Sequence, residues 1–247
     1  MFDLKGRVAL VTGAGQSVGA SIAATLAEAG AAVAVNDFFP ERAESSASAI
    51  TAEGGEAMPA PFDIVDLEEV RKGVARIEDH LGPVDILVNN AGIASTMKAA
   101  QFRDLAPEEW RGDIELNLFG VLNCVSATID AMCDRQYGRV VTISSGAGTV
   151  GLGMGVSMYA AGKGGAISFM RHLAIETARL GVTANTLALG MMENNATRMP
   201  VEDIPKLNPI GRLGTGREVG AAVVWLAAEG SWITGQTIEI NGGAVTT

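Results

Sequence analysis

The sequence contains few of the residues that bind metals or form disulfides. Of its 247 residues, two are cysteine and two are histidine. Cys124 and Cys133 lie in one stretch of helical character, and neither they nor His80 and His172 have partners at metal-ligand spacing. This scarcity excludes a disulfide framework and predicts that the chain has no metal site. Two buried, reduced thiols are typical of a reducing compartment, so we expect a cytoplasmic protein.

Basic residues and long apolar runs are also scarce. Lys and Arg number 18 against 28 Asp and Glu, which gives a formal net charge of -10. A general nucleic-acid-binding surface needs a basic footprint, so that class of function is excluded, whereas an anionic cofactor can still bind backbone amides. No uninterrupted apolar run reaches the roughly 18 residues of a membrane span. Residues 1–5 have no signal-peptide layout, so we expect a soluble protein without a membrane partner.

Apolar residues make up 48% of the chain and fall into short runs between helical stretches. The runs predict strands over residues 8–12, 32–37, 57–62, 84–89, 139–144, 182–189 and 236–240. Helices are predicted over residues 17–29, 41–53, 67–81, 107–132, 159–180 and 217–228. The runs are continuous rather than alternating, which is typical of a sheet covered on both faces. We predict one α/β domain over residues 1–247, with a doubly wound parallel sheet of about seven strands flanked by helices.

Residues 191–216 interrupt this alternation. Three of the chain's eight prolines, Pro200, Pro205 and Pro209, fall in this segment, and it has little periodicity. Such an insertion in a compact domain is usually a lid or a binding loop. We therefore predict a substrate lid near residues 191–216.

A glycine-rich turn follows the first predicted strand, in the sequence TGAGQSVG from Thr12 to Gly19. A strand, a glycine-rich turn and a helix together can hold a pyrophosphate at the helix N-terminus. The literal pattern G-x-G-x-x-G is not met, because Val18 occupies its last position. The position of the turn nevertheless predicts a dinucleotide site.

Asp37 ends the second predicted strand, 18 residues beyond Gly19. A carboxylate there can accept hydrogen bonds from both hydroxyls of the adenosine ribose, and it repels a 2′-phosphate. Phe38 and Phe39 follow it, where a basic residue would favour NADP. The sequence therefore favours NAD as the cofactor. The alternative is that Asp37 only caps the next helix.

Tyr159 and Lys163 are four residues apart, and Ser144 and Ser145 lie a short way upstream. Residues at this spacing share one face of a helix. A nearby ammonium group lowers the pKa of a phenol, which makes tyrosine a usable general acid or base. By itself the pair is also compatible with a solvated helix face.

In this context the chain resembles the short-chain dehydrogenase/reductase family over essentially its whole length. The glycine turn resembles the family motif TGxxxGxG at every fixed position except Ser17, and residues 89–92 match the family motif NNAG. Asn117 matches the family asparagine, Ser145 the catalytic serine, and Tyr159 with Lys163 the catalytic pair. The resemblance implies a Rossmann fold and an oxidoreductase of the alcohol–ketone type.

The resemblance also implies a role for each residue. Tyr159 would be the general acid or base, while Lys163 lowers its pKa and holds the nicotinamide ribose. Ser145 would hydrogen-bond the substrate oxygen, and Asn117 would hold a water molecule on a proton path from Lys163. Contacts to NAD are expected from Gly13, Gln16, Ser17, Val18, Gly19, Asp37, Asp63, Ile64, Asn90, Ala91, Gly92, Tyr159, Lys163, Gly190 and Met192.

Three positions depart from the family pattern. Ser17 replaces the middle glycine of the phosphate turn, where its Cβ restricts the backbone and its hydroxyl could cap the helix or bind a phosphate. Leu189 stands where a proline usually precedes Gly190, and Asn194 stands where a threonine often contacts the nicotinamide carboxamide. These changes bear on cofactor affinity more than on chemistry.

Methionines and aliphatic residues are concentrated where the substrate is expected. Methionine fills irregular apolar pockets, which favours a hydrophobic secondary alcohol or its ketone: a 3-hydroxyacyl thioester, a hydroxysteroid or an alicyclic alcohol. Alternatively, some of these residues pack the lid or a subunit interface. The predicted lining is Leu152, Met154, Val156, Met158, Met191, Met192 and Met199.

Two alternative functions and an oligomeric assembly also follow from the sequence. The chain could instead be an NADP-dependent 3-ketoacyl reductase, or a non-catalytic protein that senses a dinucleotide. Asp37 is evidence against the first, and the intact set of Ser145, Tyr159 and Lys163 is evidence against the second. The resemblance implies a homotetramer or a homodimer, with contacts through helices near residues 108–132 and 159–180.

Overall fold

Seven parallel strands form one sheet in a computed structural model that describes residues 2–93, 97–193, 208–228 and 232–246. The strand order is β3-β2-β1-β4-β5-β6-β7, and every neighbouring pair is parallel. The strands are β1 (Val8–Val11), β2 (Ala32–Val35), β3 (Glu56–Pro59), β4 (Ile86–Asn89), β5 (Gly138–Ser145), β6 (Val182–Leu189) and β7 (Thr237–Ile240). The predicted α/β fold with its doubly wound parallel sheet is confirmed.

Helices cover both faces of this sheet. Their bounds are α1 (Ser17–Glu28), α2 (Pro40–Ala52), α3 (Leu67–Leu81), α4 (Arg111–Ile114), α5 (Gly120–Asp134), α6 (Ser157–Thr177) and α7 (Gly216–Ala228). Successive residues of a strand point to opposite faces, so each strand contributes to two cores. Val11 packs in one core with Ile22 of α1 and Val223 of α7. Leu10 packs in the other with Val121 of α5 and Met170 of α6.

The helix predicted over residues 107–132 is wrong as a single element. The segment instead forms a 3₁₀ turn, α4, a π-helical turn over Glu115–Phe119 and then α5. A π turn fits one more residue into a helical turn and is common at functional sites. Asn117 lies at the centre of this turn and is fully buried. Hydrophobic periodicity alone does not show such a local change of helix type.

Beside β1, the side of the sheet on which successive strands are added changes. From β1 the chain proceeds to β2 and β3 on one side, and β4 then returns to the opposite side of β1. The helices that follow β1 and β4 therefore pack on different faces, and a crevice opens between the carboxyl ends of the two strands. Ligands of doubly wound folds bind in this crevice.

The stretch Pro107–Asp134 is long and apolar enough to cross a membrane, by length and composition only. The mean hydropathy of its most apolar part is 1.4. The sequence contains no uninterrupted apolar run of that length, but the mean hydropathy of this stretch reaches the value of a membrane span because its polar residues are few. Val121, Val125 and Met132 of this stretch are buried in the core beside the sheet. We therefore assign it to the protein core.

Both cysteines are free thiols, as predicted. Cys124 is buried in the core, and burial raises the pKa of its thiol to about 12. Cys133 is only partly buried, because it lies near the end of α5, so the prediction that both thiols are buried is wrong for Cys133. Localisation in the cytoplasm stays a prediction.

The predicted lid at residues 191–216 falls partly outside the described residues. Asn194, Met199, Pro200 and Pro205 all lie in that undescribed part. The two described flanks of the segment are joined, because Gly214 N donates to Met191 O at 3.0 Å and Glu193 N donates to Gly214 O at 2.8 Å. The two described flanks therefore meet beyond the carboxyl end of β6.

Candidate active site

The glycine turn is locked onto the end of β4. Asn90 Nδ2 donates to the main-chain oxygens of Thr12 at 2.9 Å and Gly13 at 3.0 Å. Gly13 has a φ of +61°, and a Cβ placed on it would lie 2.8 Å from Ala91 Cα. A Cβ on Gly19 would collide with the carbonyl of Gly13. These close approaches explain why the turn requires glycine and why the family motif pairs it with residues 89–92.

The N-terminus of α1 faces the same crevice. Ala20 N donates to Gln16 O at 3.1 Å, so this amide near the start of α1 has a hydrogen-bond acceptor within the helical turn. The amides of Ser17, Val18 and Gly19 precede it, and the first amides of a helix have no intrahelical acceptor. Together with the helix dipole they form a site for an anionic group such as a pyrophosphate.

Ser17 adopts a left-handed backbone conformation, with a φ of +50°. Its hydroxyl does not cap the helix, because Gln16 occupies the N-cap position and no side chain bonds the first turn from there. The suggestion of a capping role for Ser17 is therefore wrong. A residue with a Cβ is strained in this conformation, which a glycine would adopt without cost.

Asp37 lies against the glycine turn and is almost fully buried. Its Oδ2 accepts a hydrogen bond from Gly15 N at 3.1 Å, and its Oδ1 accepts one from Phe39 N at 3.0 Å. The N-cap of α2 is Phe39, so Asp37 is not the helix cap that the alternative required. The carboxylate is held between the glycine turn and the carboxyl end of β2.

Asp63 and Ile64 lie in the loop after β3 and are less clearly directed at the crevice. Asp63 Oδ1 accepts from Val65 N at 2.9 Å, which stabilises the loop. The side chain of Ile64 is buried, and its Cδ1 lies 2.6 Å from where a Cβ would stand on Gly120. Contacts from these two residues to a cofactor stay predictions.

Gly190 and Met192 lie beyond the carboxyl end of β6. Gly190 N donates to Ile240 O at 2.9 Å, and a Cβ on Gly190 would lie 2.7 Å from Asn241 Cα. Met192 pairs with Gly214 in a short parallel bridge. Both residues therefore border the crevice on the side opposite Asp37.

Ser145 and Tyr159 come together where β5 ends and α6 begins. Ser145 is the last residue of β5, its hydroxyl accepts from Ala147 N at 3.2 Å, and it hydrogen-bonds Tyr159. Burial raises the pKa of the Tyr159 phenol, the bond to Ser145 lowers it, and the negative charge of Asp113 raises it. The net direction is upward, opposite to the lowering expected from the sequence.

Burial of the phenol is the main cause of that difference, and Lys163 does not offset it. Its side chain is buried, with Nζ donating to Ile143 O at 2.7 Å and lying 5.8 Å from the centroid of the Tyr159 ring. Burial lowers the pKa of Lys163 to about 8. A desolvated ammonium at this distance stabilises a phenolate less than burial of the phenol destabilises it.

Asn117 completes the group of four predicted catalytic side chains. Its Nδ2 donates to Asp113 O at 2.9 Å, while its buried Oδ1 has no hydrogen-bond partner among the described residues. A Cβ placed on Gly92 would lie 2.5 Å from Lys163 Nζ and 2.8 Å from this Oδ1. Gly92 therefore leaves the lysine and the asparagine room beside the crevice.

These observations fit a nicotinamide dinucleotide. A glycine turn, free helix amides and a buried carboxylate lie at one end of the crevice, as an adenosine ribose and a pyrophosphate require. At the other end, the unpartnered oxygen of Asn117 and the amine of Lys163 are available to polar groups. Residues 7–204 match the family described as short chain dehydrogenase.

The chain belongs to this short-chain dehydrogenase family. It is 38% identical to the 3-oxoacyl-(acyl-carrier-protein) reductase FabG of Escherichia coli strain K12 over 246 residues, which cover 98% of each chain. It is 40% identical to the acetoacetyl-CoA reductase of Rhizobium meliloti strain 1021, covering 96% of this chain and 98% of that one. A short-chain dehydrogenase/reductase from Mycobacterium marinum superposes with a TM-score of 0.91 at 30% identity, covering 100% of this chain and 98% of that one. Membership makes the chain an oxidoreductase.

A cavity of about 330 Å³ opens where the loop after β5 leads into α6, with a mostly apolar lining that includes Leu152, Val156 and Phe102 but not Tyr159. Met158 lines a separate small cavity, and Met154 is 60% exposed. The expected methionine lining is therefore only partly realised. Aliphatic residues of the loop after β5 form most of the larger cavity.

Sequence reasoning missed Asp113. This carboxyl group lies in α4 and affects Tyr159 electrostatically. Its position four residues before Asn117 is the signal that could have found it, because such residues share a helix face.

Replacing Ser17 by glycine should stabilise the protein by about 1 kcal/mol, because glycine adopts the left-handed conformation without a Cβ clash. Thermal unfolding measures the effect. Ser17→Ala is the matched control, since it removes the hydroxyl but keeps the strained backbone. Equal stabilisation by alanine would show that the backbone strain is not the cause.

Replacing Gly92 by alanine should lower turnover at least about tenfold, because the added methyl displaces the Lys163 amine or the Asn117 amide. Steady-state kinetics and thermal unfolding of the same preparation separate this effect from loss of folding. Gly153→Ala is the control, as a Cβ there meets no atom within 4 Å. Full activity of Gly92→Ala would mean that the lysine position is not essential.

Proposed function

We propose that this chain interconverts a 3-oxoacyl thioester and the corresponding 3-hydroxyacyl thioester, using NAD(H). The observation that supports catalysis is the convergence of Ser145, Tyr159 and Lys163, with Asn117 behind them, at the carboxyl edge of the sheet. The thioester class is supported by the reductases to which the chain is similar over nearly its full length. A non-catalytic sensor would have no need of this intact set.

The side chains have complementary roles in the proposed reaction. In reduction, Tyr159 donates its phenolic proton to the substrate oxygen, and in oxidation it accepts that proton. Ser145 hydrogen-bonds the same oxygen and stabilises the charge that develops there. The nicotinamide cofactor, when bound, supplies or accepts the hydride.

Lys163 and Asn117 restore the proton on Tyr159. With a pKa of about 8, Lys163 can gain or lose a proton near neutral pH. The free oxygen of Asn117 lies beside it and is able to hold a water molecule between the lysine and solvent. Lys163 also holds the nicotinamide ribose in this proposal.

The substrate cavity supports an acyl chain. Val150, Leu152 and Val156 line it, together with Phe102 and small residues. Its volume of about 330 Å³ is at the lower end of ligand pockets, which suits a short acyl group better than a steroid. The hydroxysteroid is the weaker candidate for that reason.

Asp37 supports NAD(H) rather than NADP(H). Its carboxylate is buried against the glycine turn, where it can accept from ribose hydroxyls, and it would repel the 2′-phosphate of NADP. The alternative, an NADP-dependent 3-ketoacyl reductase, is supported by the 3-oxoacyl and acetoacetyl-CoA reductases to which the chain is similar and by one structural observation. The Cβ of Arg42 lies 2.6 Å from a Cβ placed on Gly15, and its guanidinium stacks on Phe39 at 4.2 Å. A cation is therefore close to the same ribose position.

The expected assembly through α5 and α6 stays a prediction. Phe119 and Ile175 expose apolar side chains near these two helices, with 51% and 79% of their surfaces accessible. We propose a homotetramer or a homodimer in which these faces are covered.

Replacing Tyr159 by phenylalanine should lower turnover of acetoacetyl-CoA by about 10² to 10⁴, because the proton donor is lost. NADH binding, followed by fluorescence titration, should change little. Tyr137→Phe is the matched control, since Tyr137 is the other of the two tyrosines in the chain. Undiminished turnover by Tyr159→Phe would exclude the proposed role.

Oxidation of NADH should exceed that of NADPH by at least about tenfold in kcat/KM with acetoacetyl-CoA, because Asp37 repels the 2′-phosphate. Absorbance at 340 nm measures both rates. Asp37→Ala should reduce the preference for NADH over NADPH. Arg42→Ala should lower only the activity with NADPH. A preference of the unmodified chain for NADPH would establish the alternative function.

A further inference from the structure

The loop between β3 and α3, residues 60–66, lies beside the strand end that carries Asp37. Asn36, the residue before Asp37, donates from its Nδ2 to Ala60 O and to Phe62 O, both at 3.0 Å. β2 and β3 are parallel neighbours, so their carboxyl ends meet at the same edge of the sheet. The first half of the loop is therefore bonded directly to the wall of the crevice where the ribose carboxylate lies.

Asn123 of α5 holds the second half of this loop. Its Nδ2 donates to Ile64 O at 2.9 Å and to Val65 O at 3.0 Å. A side-chain amide nitrogen carries two hydrogens, and two successive carbonyl oxygens of the loop accept both of them. The bonds fix the main chain at the position where a contact to the cofactor is predicted from Ile64.

Packing brings the loop and α5 together at the same place. The buried side chain of Ile64 belongs to one hydrophobic cluster with Val121 and Cys124 of α5. A Cβ on Gly120 would lie 2.6 Å from Ile64 Cδ1, so the start of α5 requires glycine for this close approach. Gly120 and Asn123 are three residues apart and share a face of the helix. This face therefore meets the loop through both packing and hydrogen bonds.

The other hydrogen bonds of the second half of the loop are local. Asp63 N donates to Glu69 Oε2 at 2.9 Å, and Asp63 Oδ1 accepts from Val65 N at 2.9 Å. These bonds join residues at most six apart in sequence, so they shape the loop and its passage into α3. The bonds from Asn123 instead tie it to a helix 58 and 59 residues further along the chain.

We propose that Asn123 is the positioning residue that holds the loop of residues 60–66 in the conformation that receives the adenine of the dinucleotide. The adenine is attached to the ribose that Asp37 is proposed to bind, so this loop is the adjoining wall. Affinity for a ligand falls in proportion to the fraction of the protein whose binding site is formed. Asn123 raises that fraction without touching the cofactor. The inference deepens the proposed function and rests on it for the binding of a nicotinamide dinucleotide.

Binding of NADH, followed by fluorescence titration, tests this without a substrate. Asn123→Asp keeps the shape of the side chain but removes both donors and places a negative charge against two carbonyl oxygens. The Kd for NADH should rise at least about fivefold, because the loop no longer stays in its binding conformation. Asn123→Leu removes the donors without adding a charge and should act in the same direction. Ser126→Asp is the matched control, because it adds a carboxylate at an exposed position of the same helix.

Reduced nicotinamide mononucleotide separates a positioning role from general damage, because it lacks the adenosine half of NADH. With this hydride donor and acetoacetyl-CoA, both Asn123 variants should stay within about twofold of the unmodified chain in kcat/KM. With NADH, the same variants should show a higher KM and a kcat within about twofold of the unmodified value. A merely structural role would lower the rate with both donors alike.

Unchanged affinity for NADH in both Asn123 variants would overturn the proposal, as would an equal loss with the mononucleotide or in Ser126→Asp. Inactivity of the unmodified chain toward acetoacetyl-CoA would contradict the proposed substrate, while the NADH titration would still decide the role of Asn123. A preference for NADPH would contradict the proposed cofactor, and the same titration with NADPH, which carries the same adenine, then decides. Failure of the unmodified chain to bind either dinucleotide would overturn both proposals.

Discussion

The contact between the glycine turn and the end of β4 is the constraint on which the rest of the site depends. Asn90 donates two hydrogen bonds to Thr12 there, from its N to Thr12 Oγ1 at 3.0 Å and from its Nδ2 to Thr12 O at 2.9 Å. The two strands meet at the switch point of the sheet, so this lock fixes the crevice between them. Gly92 follows directly and sets the distance to Lys163 and Asn117.

Burial governs the electrostatics at the other end of the crevice. Lys163 is almost fully covered, and a single carbonyl oxygen accepts from its amine. Tyr159 is also largely removed from water, which opposes the phenolate. Ser145 lowers the pKa of Tyr159, and the charge of Asp113 raises it. The pKa of the tyrosine therefore depends first on its own burial and then on Ser145 of β5 and Asp113 of α4.

The strands could be predicted well because a parallel sheet that is buried on both faces needs short continuous apolar runs. All seven predicted strands are present, with shifts of a few residues at their ends. The interruption of the helix around Asn117 could not be predicted, because a π turn preserves the apolar pattern on both sides of it. The position of Asp37 followed from spacing, whereas its bond to Gly15 depends on how β2 and the turn pack.

By itself, the sequence determined the strand–helix alternation, the glycine turn and the order of the catalytic residues, because these depend on local periodicity and on residue type. Tertiary structure decided the direction of the Tyr159 pKa, the strain at Ser17 and the lack of a hydrogen-bond partner for Asp113 Oδ1 among the described residues. Each of these depends on which distant atoms lie nearby and on how much water they exclude. Desolvation and unpaired charge are properties of a packed environment, and residue spacing does not specify them.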